Sequence, residues 1–317
     1  MGETKIYPST QAQVAAVDAK LDVINNKLPL PQYQIKTVNP SGTQQTITPD
    51  NNYTALSGVV VNPISASMPE NLEDFVMRKG TIPEFSLSLN GDVPDYACYQ
   101  QKKLVAVYGS PTSIGNYAFS NCSSLQDINW GTIISVRQSA FQYCSSIYSI
   151  ESDSIISIGY YGFDHLANLT NVTLKNCTTL GERTFTSNAL LETVDLRSAT
   201  HIPARTVENC SQLKYFDCRN TTTIDHMAFS SCTSLLLIDI TNSHAVALGN
   251  SNNIPNNANL TILVADATDK AYYQSATNWS THASKIKTVA EYEQEIGMTY
   301  DEYYLQVFGH ARNEVTE

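Results

Sequence analysis

Leu191-Glu-Thr-Val-Asp-Leu196 carries apolar side chains at its first, fourth and sixth residues, with polar ones between. That spacing suits a short strand whose apolar residues point into a core and whose polar residues point away from it. The pattern recurs with a period of about 22 residues, at Ile147, Leu169, Leu191, Leu213 and Leu235, and Leu125 continues it backwards. Leu104 and Ile82 extend it through one coil that is a residue short. Three residues into each unit stand Ile128, Ile150, Val172, Val194, Phe216 and Ile238; eleven in come Val136, Ile158, Leu180, Ile202 and Ile224. Sixteen in come Phe141, Phe163, Phe185, Val207 and Phe229. A fixed period of this length predicts a solenoid in which each coil buries its apolar face only against neighbouring copies. Coils stacked about 4.8 Å apart turn each apolar position into a ladder.

A sharper signature lies in Ile114-Gly-Asn-Tyr-Ala-Phe-Ser-Asn-Cys-Ser-Ser-Leu125, and again in Ala228-Phe229 with Ser231-Cys232. The form I-x-x-x-A-F-x-x-C-x-x-L resembles the BspA-like leucine-rich repeats of bacterial and phage surface proteins. The resemblance covers a little over half the chain. The middle coils depart from it, with Leu166 and Asn188 in place of the cysteine and Val207 in place of the phenylalanine. The expected fold class is mainly β with short helices: a leucine-rich-repeat solenoid over 82–259, with an N-terminal helix and small β module before it and a helical C-terminal cap after it. The family alone does not fix a function.

The flanks read as separate pieces. Over residues 1–31, Val14, Val17, Leu21, Ile24 and Leu28 are spaced 3, 4, 3, 4, a heptad seam that Pro29 and Pro31 stop. A seam this short is unstable alone, so it is expected to oligomerise as a dimer or trimer, to dock on a larger assembly, or to lie on its own protein. Residues 32–66 read as short alternating strands, Tyr33–Val38, Gln44–Pro49 and Leu56–Asn62, split by Pro, Gly and Asn turns. Their order is similar to a small β module of phage tail and fibre proteins. Residues 67–81 form a linker with a short helix over 71–78, feeding the first coil. Over 260–317, Leu260–Val264 looks like a last strand and 267–275 like a helix. Thr288-Val-Ala-Glu291 and Thr299-Tyr-Asp-Glu302 are capping boxes, with Gly297 and Gly309 as stops. The two capped helices are expected to cover the last coil.

Composition excludes several classes. A net charge of −11 argues against nucleic acid and anionic membrane surfaces. No stretch of 18 apolar residues predicts a membrane-spanning helix. The N-terminus lacks the basic start and apolar core of a secretory signal, and no wall-sorting pattern stands near the C-terminus. The seven cysteines form no C-x-x-C pair, and a one-repeat spacing makes them a ladder of buried thiols in preference to disulfides. The six histidines are scattered, and no phosphate loop, nucleophile elbow or paired-carboxylate motif is present. No enzyme activity, cofactor or metal is expected.

The strand face is the candidate partner surface. Asn129, Glu151, Thr173, Asp195, Asp217 and Asp239 recur at the fifth position of successive units and should point outward. Stacked like charges destabilise a sheet, so the aspartates need a cation or a neutralising partner. Arg197 and Arg219, two residues along on the same face, supply it. With Tyr148, Lys214 and Tyr215, these residues (Glu151, Asp195, Arg197, Asp217, Arg219 and Asp239) make a mixed-charge surface suited to a host protein or glycan. Two settings follow: a phage virion protein, docked to other virion proteins through its N-terminus and serving host attachment or capsid decoration, or a bacterial cell-surface adhesin. The missing export signal favours the virion.

Overall fold

The computed structural model describes residues 33–38, 44–47, 59–63, 85–250 and 253–312. The chain divides into two compact units, Met1–Ile147 and Tyr148–Glu317. It is mainly β, built as stacked coils of one repeat each, with short helices near the C-terminal end. The predicted heptad seam, the helix over 71–78 and Ile82 lie outside the described residues.

In the first unit, β1 (Tyr33–Val38), β2 (Gln44–Ile47) and β3 (Val59–Pro63) form an antiparallel sheet in the order β2-β1-β3. These are the short strands expected from their alternation. The coils begin with β4 (Phe85–Val93) and β5 (Leu104–Ile114), which pair in parallel, Leu87 beside Val107 and Val93 beside Ile114. The next coil splits into β6 (Asp127–Ile128) and β7 (Ser135–Val136), which keep that register, Ile128 beside Val107 and Val136 beside Ile114. The predicted ladder residues Leu104, Leu125, Phe119 and Phe141 are buried, and the two phenylalanine rings stack 5.3 Å apart.

In the second unit the strand ladder runs through β8 (Ser149–Glu151), β10 (Asn171–Thr173), β12 (Thr193–Asp195), β14 (Tyr215–Asp217) and β16 (Leu237–Asp239). Ile150, Val172, Val194, Phe216 and Ile238 are in register, as their spacing predicts. Each coil also has a second, two-residue strand: β9 (Ser157–Ile158), β11 (Thr179–Leu180), β13 (His201–Ile202), β15 (Thr223–Ile224) and β17 (Ala247–Leu248). Phe163 and Phe185 are fully buried and stack at 5.7 Å. The repeat does not stop where its sequence pattern fades. β18 (Thr261–Val264) and β19 (Ile286–Thr288) add two more rungs, Ile262 and Ile286, each at a slightly longer step than the coils before them.

Turns between coils need left-handed backbone, and the chain supplies it largely without glycine. Arg183, Arg205 and Met227 sit at φ of 57°, 58° and 59°, and Ser187, Asn209 and Ser231 four residues on repeat the conformation. Bulky residues rarely take it. What holds them is the neighbouring coil: Arg183 N–H donates to the Ala204 carbonyl (3.1 Å) and Ser187 N–H to Glu208 (2.8 Å). At Gly181 the coils approach so closely that a Cβ would lie 2.4 Å from the Tyr160 nitrogen.

All seven cysteines are buried free thiols. They are more than small apolar fillers. Cys122 and Cys144 donate to the carbonyls of Cys98 (2.9 Å) and Phe119 (3.0 Å). Cys210 and Cys232 donate to Phe185 (3.2 Å) and Val207 (3.1 Å). Burial pushes the Cys210 thiol up to about 12, so the donor proton stays in place. Asn188, standing where a cysteine would, takes over the task with two bonds, to Phe163 (3.0 Å) and Phe185 (2.9 Å).

Three helices complete this unit: α1 (Ala267–Ser275), α2 (Val289–Ile296) and α3 (Tyr300–Phe308). Both predicted capping boxes form, and Gly297 and Gly309 end their helices at φ of 72° and 76°. α1 and the segment after it close the coil end: Tyr273 donates to the Ser243 carbonyl, Trp279 to Val246 and Asn278 to Leu248. α2 and α3 do not simply cover the last coil, as their position in the sequence suggests. They lie back along the strand face, where Tyr292, Tyr300 and Tyr304 pack with Leu237 and Leu263. No helix among the described residues is long and apolar enough to cross a membrane.

Phe163 fills mid-ladder space with no exposed surface. Phe163→Ala should cost on the order of 3–5 kcal/mol in a thermal or denaturant melt; a melt indistinguishable from the parent would refute the packing assigned to it.

Candidate functional site

Asp195, Asp217 and Asp239 end three adjacent strands in register. Their side chains leave the coil on the outer face, as parity requires. There they meet α3 instead of water: Asp195 and Asp217 are fully buried, Asp239 is 1% exposed, and Arg197 and Arg219 are 8% and 3% exposed. The expectation that these five residues form a free partner surface is therefore corrected. Outward from the coil is inward to the cap.

The site is built by repetition. Each aspartate accepts from the backbone N–H two residues on: Arg197 (3.1 Å), Arg219 (3.1 Å) and Thr241 (2.9 Å). In the first two coils that same residue is an arginine, whose Nε and Nη2 fold back on the carboxylate. Arg197 Nη2 lies 2.6 Å from Asp195 Oδ2, and Arg219 grips Asp217 in the same way. The third coil has Thr241 at this position. Its missing cation comes from the end of the chain: Arg312 bonds the Thr241 hydroxyl, and its Nε lies 3.7 Å from Asp239.

The tyrosines of α3 close the network from above. Tyr300 and Tyr304, four residues apart, share one helix face. The Tyr300 hydroxyl donates to Asp239 (2.9 Å); that of Tyr304 lies 2.7 Å from Asp217 and 3.1 Å from Asp195 and shares one proton between them. Arg197 and Arg219 stand 5.6 and 5.0 Å from the Tyr304 ring centre, and Arg312 stands 4.9 Å from that of Tyr300. The Arg312 carbonyl accepts from both other arginines, at 2.7 and 3.0 Å. His310 Nδ1 faces Arg197 at 3.1 Å, which makes it the acceptor; Nε2 then carries the proton, 3.2 Å from Asp195. Three carboxylates thus face three guanidinium groups with donors on every side.

The remaining predicted residues are not part of this cluster. Lys214 pairs with Glu192 at 2.9 Å, and Tyr215 meets the Tyr303 hydroxyl at 3.2 Å. Tyr148, 60% exposed, and Glu151 lie on the open part of the strand face. Sequence reasoning missed Tyr300, Tyr304, His310 and Arg312. One signal was present: Asp-x-Arg occurs twice, then Asp239-Ile-Thr241 leaves one carboxylate without its cation. The arginines do neutralise the stripe, as their parity predicts.

Residues 112–236 match the family described as BspA type leucine rich repeat region, in six copies. Over that stretch the chain is similar to BspA-type leucine-rich repeats. The matched stretch holds the Asp-x-Arg rungs of Asp195 and Asp217; α2, α3 and Arg312 lie beyond it. No curated protein matches the chain. Among solved structures it is similar to a leucine-rich repeat protein of T. pallidum, with 19% identity, a TM-score of 0.45, and coverage of 66% of this chain and 90% of that one. A leucine-rich repeat protein of Bacteroides ovatus gives 19% identity and a TM-score of 0.44; the match covers 76% of this chain and 65% of that one. A leucine rich cell surface protein of Faecalibacterium prausnitzii gives 13% identity and a TM-score of 0.36, over 79% of this chain and 97% of that one.

The electrostatics give the network opposite responses to acid. At Asp217 burial and the neighbouring Asp239 and Asp195 charges outweigh Arg219 and raise the carboxyl to about 6. At Asp195 burial opposes the charge, but hydrogen bonds from His310 and Arg197 win and hold the carboxyl below its usual range. Asp217 has a folded value above the unfolded value of about 4, so its contribution to stability grows as pH falls from about 6 towards 4. Asp195 has a depressed value, and its contribution is lost once pH falls below about 4. Melting temperature should therefore hold or rise between about pH 7 and 5 and drop steeply below about pH 4. A steady fall from neutral pH downward would contradict this balance.

Proposed function

We propose that the protein is a non-enzymatic recognition protein that displays its BspA-type repeats at a cell surface, as an adhesin does. The observation that carries this reading is the six-copy repeat match over residues 112–236, because repeats of this type are typical of cell-surface proteins. The fold is consistent with display: its ladder side chains are spent on packing between coils, and an extended repeat surface is left for a partner. Outside the capped strip that surface is rich in hydroxyl and amide side chains, with exposed tyrosines such as Tyr108 and Tyr148. Tyrosine is the residue type that most readily anchors a partner without a deep pocket. The partner is a host surface protein or glycan. If the N-terminal seam presents several copies together, weak single contacts add by avidity. A virion setting draws no support from the family match.

Two measurements on the full chain test this. Antibodies against the protein should label intact producing cells, and a non-adherent bacterium displaying the chain should gain adherence to host cells or matrix. Labelling only after lysis, or only of purified phage particles, would overturn the cell-surface reading.

A further inference from the structure

Residues 95–96, 116–117 and 138–139 occupy one turn in three successive coils of the first unit. The second residue of each pair is left-handed: Tyr96 (φ 59°), Tyr117 (φ 56°) and Ser139 (φ 51°). Ser139 is 2% exposed and shows that the turn needs no ring at this place. Two coils carry a tyrosine there, in the left-handed conformation that this position also takes at Arg183, Arg205 and Met227. The rings stack nearly parallel, 5.1 Å between centres at 8°, and Tyr99 stands edge-on to Tyr96 at 5.8 Å. Tyr96 keeps 44% of its surface exposed.

The residue before each ring builds a polar rim. Asn116 donates to both oxygens of Asp95, from its backbone at 2.7 Å and its side chain at 2.9 Å. The Asn116 side-chain Oδ1 accepts from the Gln138 backbone N–H at 3.2 Å, and the Gln138 side-chain amide donates to the Tyr117 hydroxyl at 2.9 Å. Each carboxylate oxygen retains a lone pair, and the Tyr117 hydroxyl, having accepted, has its own proton to give. Rings and rim are thus fixed before any ligand arrives, which lowers the ordering cost of binding.

We propose that this tyrosine ledge is a binding site for a neutral saccharide, which rests on the adhesive role proposed above. A pyranose has an apolar C–H face to lie on an aromatic ring and an equatorial rim of hydroxyls that both donate and accept. The ledge offers an exposed ring surface beside a carboxylate and two amides, which is the complementary set. The charged group named in its rim is the Asp95 carboxylate, which disfavours an acidic ligand.

The test uses full-length protein and immobilised glycans ending in galactose, glucose, mannose or N-acetylglucosamine. At least one should bind. Tyr96→Gly relieves the backbone while removing the ring, so it should leave the melting temperature unchanged yet weaken that binding by ~tenfold or more; Tyr96→Phe should retain it. Equal binding by Tyr96→Gly places the sugar site elsewhere and overturns the proposal. Binding only of sialylated or sulfated glycans overturns it too. If no glycan binds while displayed protein still confers adherence, the ledge is not a saccharide site but the adhesive reading stands; if neither occurs, both fail. A collapse in melting temperature for both Tyr96→Gly and Tyr96→Ala would make the ring a packing element and reject the site.

Discussion

Three aspartates on adjacent strands, one coil apart, create a constraint that organises the second unit. Unscreened, carboxylates at strand spacing repel one another, and burial raises the cost further. Exposure to water would relieve them. Here the relief is internal: each coil folds an Asp-x-Arg pair on itself, the third coil borrows Arg312, and α3 brings two tyrosine hydroxyls to the carboxylates. Because partly satisfied charge is worse than none, the network fixes where the cap sits to within a hydrogen bond. The helices' own apolar contacts, Tyr292 and Tyr300 against Leu237 and Leu263, are less particular about register.

The repeats and the cap divide the labour of the fold. Successive coils specify one another through apolar rungs and through the donor ladder of Cys122, Cys144, Cys210, Cys232 and Asn188. Such a stack has no natural end. β18 and β19 lengthen it at a different step, and the segment around Tyr273 and Trp279 closes the edge of β17. The chain then doubles back with α2 and α3 to cover polar strand residues. The recognition proposed above is left to surfaces the cap does not occupy, and the turn face with stacked Tyr96 and Tyr117 is the candidate among them.

Much of this was legible in the chain. The period placed Ile150, Val172, Val194, Phe216 and Ile238 in one rung set, and capping boxes at Thr288 and Thr299 marked two helices to the residue, because both signals are local. The fate of the strand face was not. Its decisive contact joins Tyr304 to Asp195, 109 residues away, and alternation tells which side of a strand a residue leaves, not what waits there. β19 was hidden for a related reason: a longer step with a helix inside breaks the spacing that revealed the others. Thr241, where an arginine was due, was the one local trace of the distant Arg312.

Hydrogen–deuterium exchange on the intact protein measures the lock most directly. If the buried network holds the cap, amides of α3 exchange as slowly as those of Leu196, Cys218 and Ile240, each bonded to the next coil just past the strands beneath, all opening together in one unfolding event. Fast exchange of Tyr303 to Phe308 at the rate of a frayed end, while those strand amides stay protected, would contradict it and return Asp195, Asp217 and Asp239 to the open surface.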